Sequence, residues 1–231
     1  MKSLLASHLL PSSILCVETD VRSVRSRTSS IPINLGNPGR CPEQPILLIA
    51  IFDNSGSVSA AAGNDPVGNR FEEVRLAVES VAKRCRCGLE CIALMTFDSP
   101  TSGDVPPTPM KGGMVAIEKG LSIPPDGGGS SVLGPSLDRA RELMDKFLEH
   151  QAVLVVLSDF QLFDSDVPRT LKVLTEFPGL VHVVALRSEP PQVLIDDPRV
   201  QVTHVQHSDP PGALAKAIFA ALISTRRRSG R

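Results

Sequence analysis

The chain has 231 residues, 42% apolar and 21% charged, with 24 basic against 25 acidic side chains and a formal net charge of -1. That length and balance suit one α/β domain with its own core and short tails. The near-neutral charge leaves no electrostatic footprint for nucleic acid. With no Trp, no Tyr and eight Phe, the chain is also poor in surfaces on which bases stack.

The N-terminal run from Leu4 to Leu15 is apolar but interrupted by His8 and Pro11, and Leu15 before Cys16 is a poor cleavage position. It is neither a good signal peptide nor the roughly 20 apolar residues of a membrane span. Residues 17–44 are rich in Ser, Arg, Pro and Thr, so residues 1–44 form a partly irregular N-terminal extension. Within it, residues 21–30 alternate Val and Arg loosely, as an added edge strand or a mobile lead-in. Five cysteines (Cys16, Cys41, Cys85, Cys87 and Cys91) are an odd number for a disulfide framework. The spacing C-x-C-x₃-C over Cys85, Cys87 and Cys91 is not a usual zinc spacing and has no His beside it. The expectation is small buried or half-buried thiols in a reducing cytoplasm.

From Pro45 the pattern sharpens. Ile46 to Phe52 is a continuous apolar run, the mark of a central strand covered on both faces, and it stops at Asp53-Asn54-Ser55-Gly56-Ser57. Phe71, Val74, Ala77, Val78 and Val81 recur at helical spacing, which predicts a helix over 69–84. Strands are expected at 89–97, at 113–117 within a Pro- and Gly-dense stretch, at 152–157, at 181–186 and at 200–205. A glycine loop, Asp126 to Ser131, precedes a helix expected over 135–150, with Pro135 in its first turn. Further helices are expected near 167–176 and over 211–225. His182, inside a strand, reads as a packed core residue. Strand and helix alternate throughout, which argues for a doubly wound, mostly parallel six-stranded sheet with helices on both faces. The domain spans residues 45–224, and residues 225–231 form a basic tail expected to be a solvated end.

In doubly wound sheets, ligands bind beyond the carboxyl ends of the strands. Asp53, Ser55 and Ser57 follow the first strand, Asp159 follows Leu157-Ser158, and Gly129-Ser130-Ser131 leads into the helix between. Carboxylates and hydroxyls are hard oxygen ligands, suited to Mg²⁺ rather than to softer metals, and Gly56 lets the D-x-S-x-S loop bend tightly. The alternative for the serines is that they cap the following helix. Asp98 and Asp126 read as loop caps or as supports behind the ligands, and Asp164 and Asp166 as a turn and a helix cap.

These three motifs together resemble the von Willebrand factor A family with its metal-ion-dependent adhesion site, over roughly residues 45 to 224. Asp53, Ser55 and Ser57 match the D-x-S-x-S motif. Gly129-Ser130-Ser131 through Gly134 and Leu137 resembles the glycine–threonine loop, and Ser158-Asp159-Phe160 resembles Thr-Asp-Gly. Serine replaces the family's threonine, at Ser131 by the spacing to Gly134 and Leu137, with Ser130 as the alternative. Phe160 replaces the last glycine and is expected to narrow or grease the site's rim. The resemblance implies that Asp53, Ser55, Ser57, Ser131 and Asp159 hold one divalent ion, Mg²⁺ or else Mn²⁺ or Ca²⁺. It implies a non-catalytic module whose ion grips a Glu or Asp of a partner protein, which in related small domains can be an ATPase or another subunit of a complex. In the family, such binding can couple to a shift of the last helix. The competing reading is a Mg²⁺-dependent phosphatase with Asp53 as nucleophile, but Ser55 stands where that chemistry wants a second carboxylate.

Overall fold

The computed structural model describes residues 33–60, 63–65, 69–121, 129–206 and 208–228. The expectations placed on residues 1–32, on Asp126 and on the last three residues lie outside that set.

Among the described residues, seven helices and six strands follow one another in the order β1 (Ile46–Phe52), α1 (Gly56–Ser59), α2 (Asn69–Ala82), β2 (Glu90–Thr96), β3 (Val105–Pro109), α3 (Met114–Gly120), α4 (Gly134–Lys146), β4 (Gln151–Ser158), α5 (Val167–Thr175), β5 (Leu180–Leu186), α6 (Gln192–Ile195), β6 (Val200–Val205) and α7 (Ala213–Arg228). They build one sheet in the order β3-β2-β1-β4-β5-β6. Every pairing is parallel except β2 with β3. The α/β, doubly wound, mostly parallel architecture is as the sequence implies.

All seven residues of β1 are buried. Ile46, Leu48, Ala50 and Phe52 face one core layer with Val74, Val78 and Val81 of α2 and Ile218 and Leu222 of α7. Leu47, Ile49 and Ile51 face the other, with Leu137 and Ala140 of α4 and Leu171 and Leu174 of α5. The period of two along a strand divides one apolar run between two layers, which is why β1 shows no alternation in its sequence.

Two local expectations need correction. Residues 113–117 are not a strand: α3 covers Met114–Gly120, and the strand of this region is β3, at Val105–Pro109. A short apolar run does not distinguish the two states, and here only Ile117 is buried while Val115 is 83% exposed, a one-sided pattern that a helix satisfies. Three prolines concealed β3, yet they are tolerated because an edge strand donates to one neighbour only. The helix expected over 135–150 stops at Lys146, with Phe147 as its C-cap residue.

The basic tail also departs from expectation. Arg226 lies within α7 and is buried; its Nε donates to Glu90 Oε1 at 2.8 Å and its Nη2 donates to Glu90 Oε2. Arg226 Nη1 also donates to the Pro38 carbonyl, and Arg84 donates to that of Gly36, so the segment before β1 is tied to the body of the domain. At the other end of α7, Glu73 of α2 accepts the backbone N–H groups of Gly212 and Ala215 at 3.1 and 2.8 Å, where the helix dipole favours a carboxylate. No helix of the described residues is long and apolar enough to cross a membrane.

Two stability predictions follow from buried polar groups. Arg226→Ala leaves Glu90 buried without its cation and should cost about 3–5 kcal/mol in urea unfolding, whereas the double change Glu90→Leu with Arg226→Met should recover most of that loss. His182 is a packed core residue, as expected. Its Nε2 lies 2.8 Å from Thr203 Oγ1, and burial pushes its pKa down to about 4. The imidazole is therefore neutral in the fold, while the unfolded chain takes up a proton near pH 6.5. Stability should fall as pH drops from about 6.5 to about 4, by roughly 3 kcal/mol in all, and level off below. His182→Gln should flatten that slope when the urea midpoint is followed across the same window.

Candidate metal centre

The strand order reverses at β1. The chain leaves β1 for β2 on one side, and β4 returns to pair on the other. The crevice of a doubly wound sheet opens at this point, beyond the carboxyl ends of β1 and β4. The register Phe52↔Leu157 brings those ends level, and Asp53 N donates to the Leu157 carbonyl at 2.9 Å. Asp53 and Asp159 therefore leave the same edge of the sheet from adjacent strands.

Asp53 is fully buried. Its Oδ1 accepts the Ser55 N–H at 2.8 Å, and its Oδ2 accepts the Ser158 hydroxyl at 2.6 Å. Ser55 occupies the N-cap position of α1, but its side chain caps nothing. The Ser55 hydroxyl lies instead 2.9 Å from that of Ser57. That geometry answers the alternative of simple helix capping for Ser55. The hydroxyl that does bond the local backbone belongs to Ser59, which reaches the carbonyls of Asn54 and Ser55.

Asp159 accepts Asn64 Nδ2 at 2.9 Å on Oδ2 and the Gln161 N–H at 3.1 Å on Oδ1. Asn64 N in turn donates to the Ser57 carbonyl at 2.8 Å. One residue thus joins the D-x-S-x-S loop to the carboxylate after β4. Among the described residues neither Asp53 nor Asp159 is paired with a Lys or Arg. Nearby Arg70 is committed to Asp65 at 2.7 Å and to Asn54 Oδ1 at 3.0 Å. Burial, above all, raises the Asp53 carboxyl above its usual range; the hydrogen bonds from Ser158 and Ser55 oppose this, and the charge of Asp159 adds to it.

The glycine loop lies against the same edge. A Cβ on Gly129 would fall 1.7 Å from the Asn54 carbonyl oxygen, so only glycine permits this approach. Asp98 N donates to the Val132 carbonyl, and Phe163 N donates to that of Ser131, both at 2.9 Å. Ser130 Oγ accepts the Val132 N–H at 3.1 Å. The Ser131 hydroxyl has no hydrogen-bond partner among the described residues, nor any direct bond to Asp53, Ser55, Ser57 or Asp159. The donor set of two carboxylates and several hydroxyls suits a hard divalent cation, and among the described residues the two acidic groups lack a counter-charge that such an ion would supply.

The supporting roles of three residues do not show in the sequence, where Ser158 reads only as part of the strand-end motif and Asp164 as a turn. Asn64 and Ser158 hold the two carboxylates. Asp164 accepts the Leu133 and Gly134 N–H groups at 2.9 and 2.7 Å and the Thr170 hydroxyl at 3.0 Å, so it caps α4 from 30 residues away. No local signal marks such a partner, whereas Asp166 caps α5 as expected, accepting the Arg169 N–H. Phe160 is also corrected. It adopts φ 59° and packs into the core with α4 and α5, 9% exposed, rather than lining a rim. The exposed aromatic beside the loop is Phe163, 79% exposed.

The chain matches no protein-family model and no curated protein sequence. Solved structures do resemble it. A von Willebrand factor type A protein from Catenulispora acidiphila superposes with TM-score 0.56 at 15% identity, over 79% of this chain and 43% of that one. The pilus adhesin SpaC from Lactobacillus rhamnosus GG gives TM-score 0.59 at 14% identity, over 84% and 31%. Manganese-loaded TRAP protein from Plasmodium vivax gives 0.51 at 11%, over 79% and 75%. The chain spans less than half the length of the first two. Sheet order, crossovers and these superpositions together establish that the chain carries a von Willebrand factor A-type fold.

Proposed function

We propose that Asp53, Ser55, Ser57, Ser131 and Asp159 hold one divalent cation, Mg²⁺ or in its place Mn²⁺ or Ca²⁺. In this reading the ion's open position takes a Glu or Asp side chain of a partner protein. The observation that carries the reading is the Ser55 hydroxyl. It stands at a helix N-cap yet turns to Ser57, in the loop that begins at Asp53, and among the described residues no basic side chain pairs with Asp53 or Asp159. Hydroxyls turned away from backbone N–H groups and beside unneutralised acids suit a cation. Two carboxylates balance a divalent ion, which then retains affinity for a third, external one. That a protein of the same fold is described as manganese-loaded, and another as a pilus adhesin, supports both halves of the proposal.

The ion would be coordinated by Ser55, Ser57 and Ser131, with Asp53 and Asp159 balancing its charge partly through water. Asn64 and Ser158 orient the two carboxylates, and Asp164 fixes the start of α4 so that the Ser131 loop stays at the edge. The chain's own role is to position oxygens and leave one side open; the phosphatase alternative lacks its second carboxylate, because Ser55 stands where that chemistry would want an acid. Partners of this kind include a subunit of a larger complex, such as an ATPase. Phe163, beside the loop and exposed, supplies an apolar contact next to the ion, as the centre of many protein interfaces does.

Titration calorimetry with Mn²⁺ should show one site per chain. Asp53→Ala should abolish it with the far-ultraviolet circular dichroism unchanged. Ser131→Ala should weaken it about tenfold or more while Ser130→Ala has little effect, and Gly129→Ala should weaken it by displacing the loop from Asn54. Equal affinities for wild type and Asp53→Ala would sink the proposal. A second prediction concerns the partner face: capture of binding proteins on immobilised chain should need Mg²⁺ and fail with chelator. Phe163→Ala should lower that capture with no change in Mn²⁺ affinity.

A further inference from the structure

The end of the sheet opposite this centre holds a second cluster. Cys41 precedes β1, and Cys85 and Cys87 lie in the connection from α2 to β2, so all three sit near the amino ends of neighbouring parallel strands. Their sulfurs lie within 4.8 Å of one another, with Cys85 Sγ 3.6 Å from Cys87 Sγ. We propose that Cys41, Cys85 and Cys87 bind one zinc(II) ion as a three-thiolate site that fastens the segment before β1 to the entrance of β2.

The spacing fits an ion. Zinc–sulfur bonds of about 2.3 Å in tetrahedral geometry set ligand sulfurs roughly 3.8 Å apart, near the 3.6 Å between Cys85 and Cys87 and inside the 4.8 Å that bounds the whole cluster. All three are free thiols. The ligands are also supported from behind, as metal-bound sulfurs usually are. Arg86 N donates to Cys41 Sγ at 3.4 Å and Leu89 N donates to Cys87 Sγ at 3.5 Å. Gly88, at φ 73°, makes the turn that aims the second of these N–H groups. The charged pair nearest the sulfurs is Arg226 with Glu90: the guanidinium favours the Cys41 thiolate, while the Glu90 carboxylate works against that of Cys85 and is itself held by Arg226. Cys85 is buried, Cys41 half-buried and Cys87 exposed, which gives the ion a way in and leaves its fourth position to water. On binding, each thiol loses its proton to solvent and forms one sulfur–zinc bond, with no change of oxidation state.

Cys91, four residues beyond Cys87, does not belong to the cluster. The spacing of Cys85, Cys87 and Cys91 did not point to zinc; the third sulfur of the cluster comes from 44 residues before Cys85, on the approach to a neighbouring strand.

The test uses the full chain, reduced and metal-free, loaded with zinc(II) and, in parallel, with cobalt(II) as its coloured substitute. One thiol-bound equivalent per chain is expected, with a sulfur-to-cobalt charge-transfer band that zinc displaces. The band should survive Asp53→Ala and Cys91→Ser and disappear in Cys41→Ser and in Cys87→Ser. Cys87 is exposed, so its variant should fold, and zinc should raise the thermal midpoint of wild type but not of that variant. No band in folded wild-type protein, a band that persists in the Cys41→Ser/Cys87→Ser double variant, or a disulfide among these cysteines in protein purified under reducing conditions would each overturn the proposal. Because Asp53→Ala separates the two ends of the sheet, failure here leaves the divalent-cation centre untouched.

Discussion

Everything at the candidate centre depends on the pairing of β1 with strands on both sides. A strand hydrogen-bonded along both edges and covered on both faces has nowhere to move. Its last residue, Phe52, is therefore fixed, and so is the first polar residue after it. Asp53 is delivered into a buried position that its own chemistry would not choose. Strand β4, level with β1, brings Ser158 to satisfy one oxygen of Asp53 and Asp159 to stand alongside. The cost of holding acids together there is carried by the two core layers, each anchored on alternate side chains of β1.

The same dependence explains what could be read in the sequence. Long apolar runs and helical spacing reported β1, β2, β4, β5 and the main helices, because burial on both faces leaves a composition signal that neighbours cannot erase. D-x-S-x-S and the aspartate after β4 were legible for a related reason: abrupt polar residues after a buried run have to be at a strand end. The region between β2 and α4 was not legible. Its prolines suit an edge strand with a single partner, and its apolar run at 114–117 is too short to reveal its period. The supporting roles were invisible. Asn64, Ser158 and Asp164 act across 95, 105 and about 30 residues of chain respectively, and nothing in their immediate neighbourhoods announces a distant partner.

Phe160 shows how a family pattern can mislead. The glycine usual at its position suits a left-handed backbone, and the backbone here is left-handed even with phenylalanine in place. The side chain recovers part of that strain by entering the core, so a substitution that reads as a change at the site's mouth is a change of packing beneath it. The exposed aromatic is Phe163, three residues on, whose backbone N–H bonds the Ser131 carbonyl.

The last helix has a consequence for how this domain can communicate. α7 is moored twice: Glu73 grips its first turn, and the Arg226–Glu90 pair locks its far end inside the protein. A helix held at one end can slide like a piston rod; one held at both ends is a strut. To translate along the domain, α7 would have to surrender a desolvated ion pair, a loss of several kcal/mol that an ion–carboxylate contact across the sheet would have to outweigh. If the proposed function holds, such a body meets its partner as a preset shape, with its own architecture left as it was.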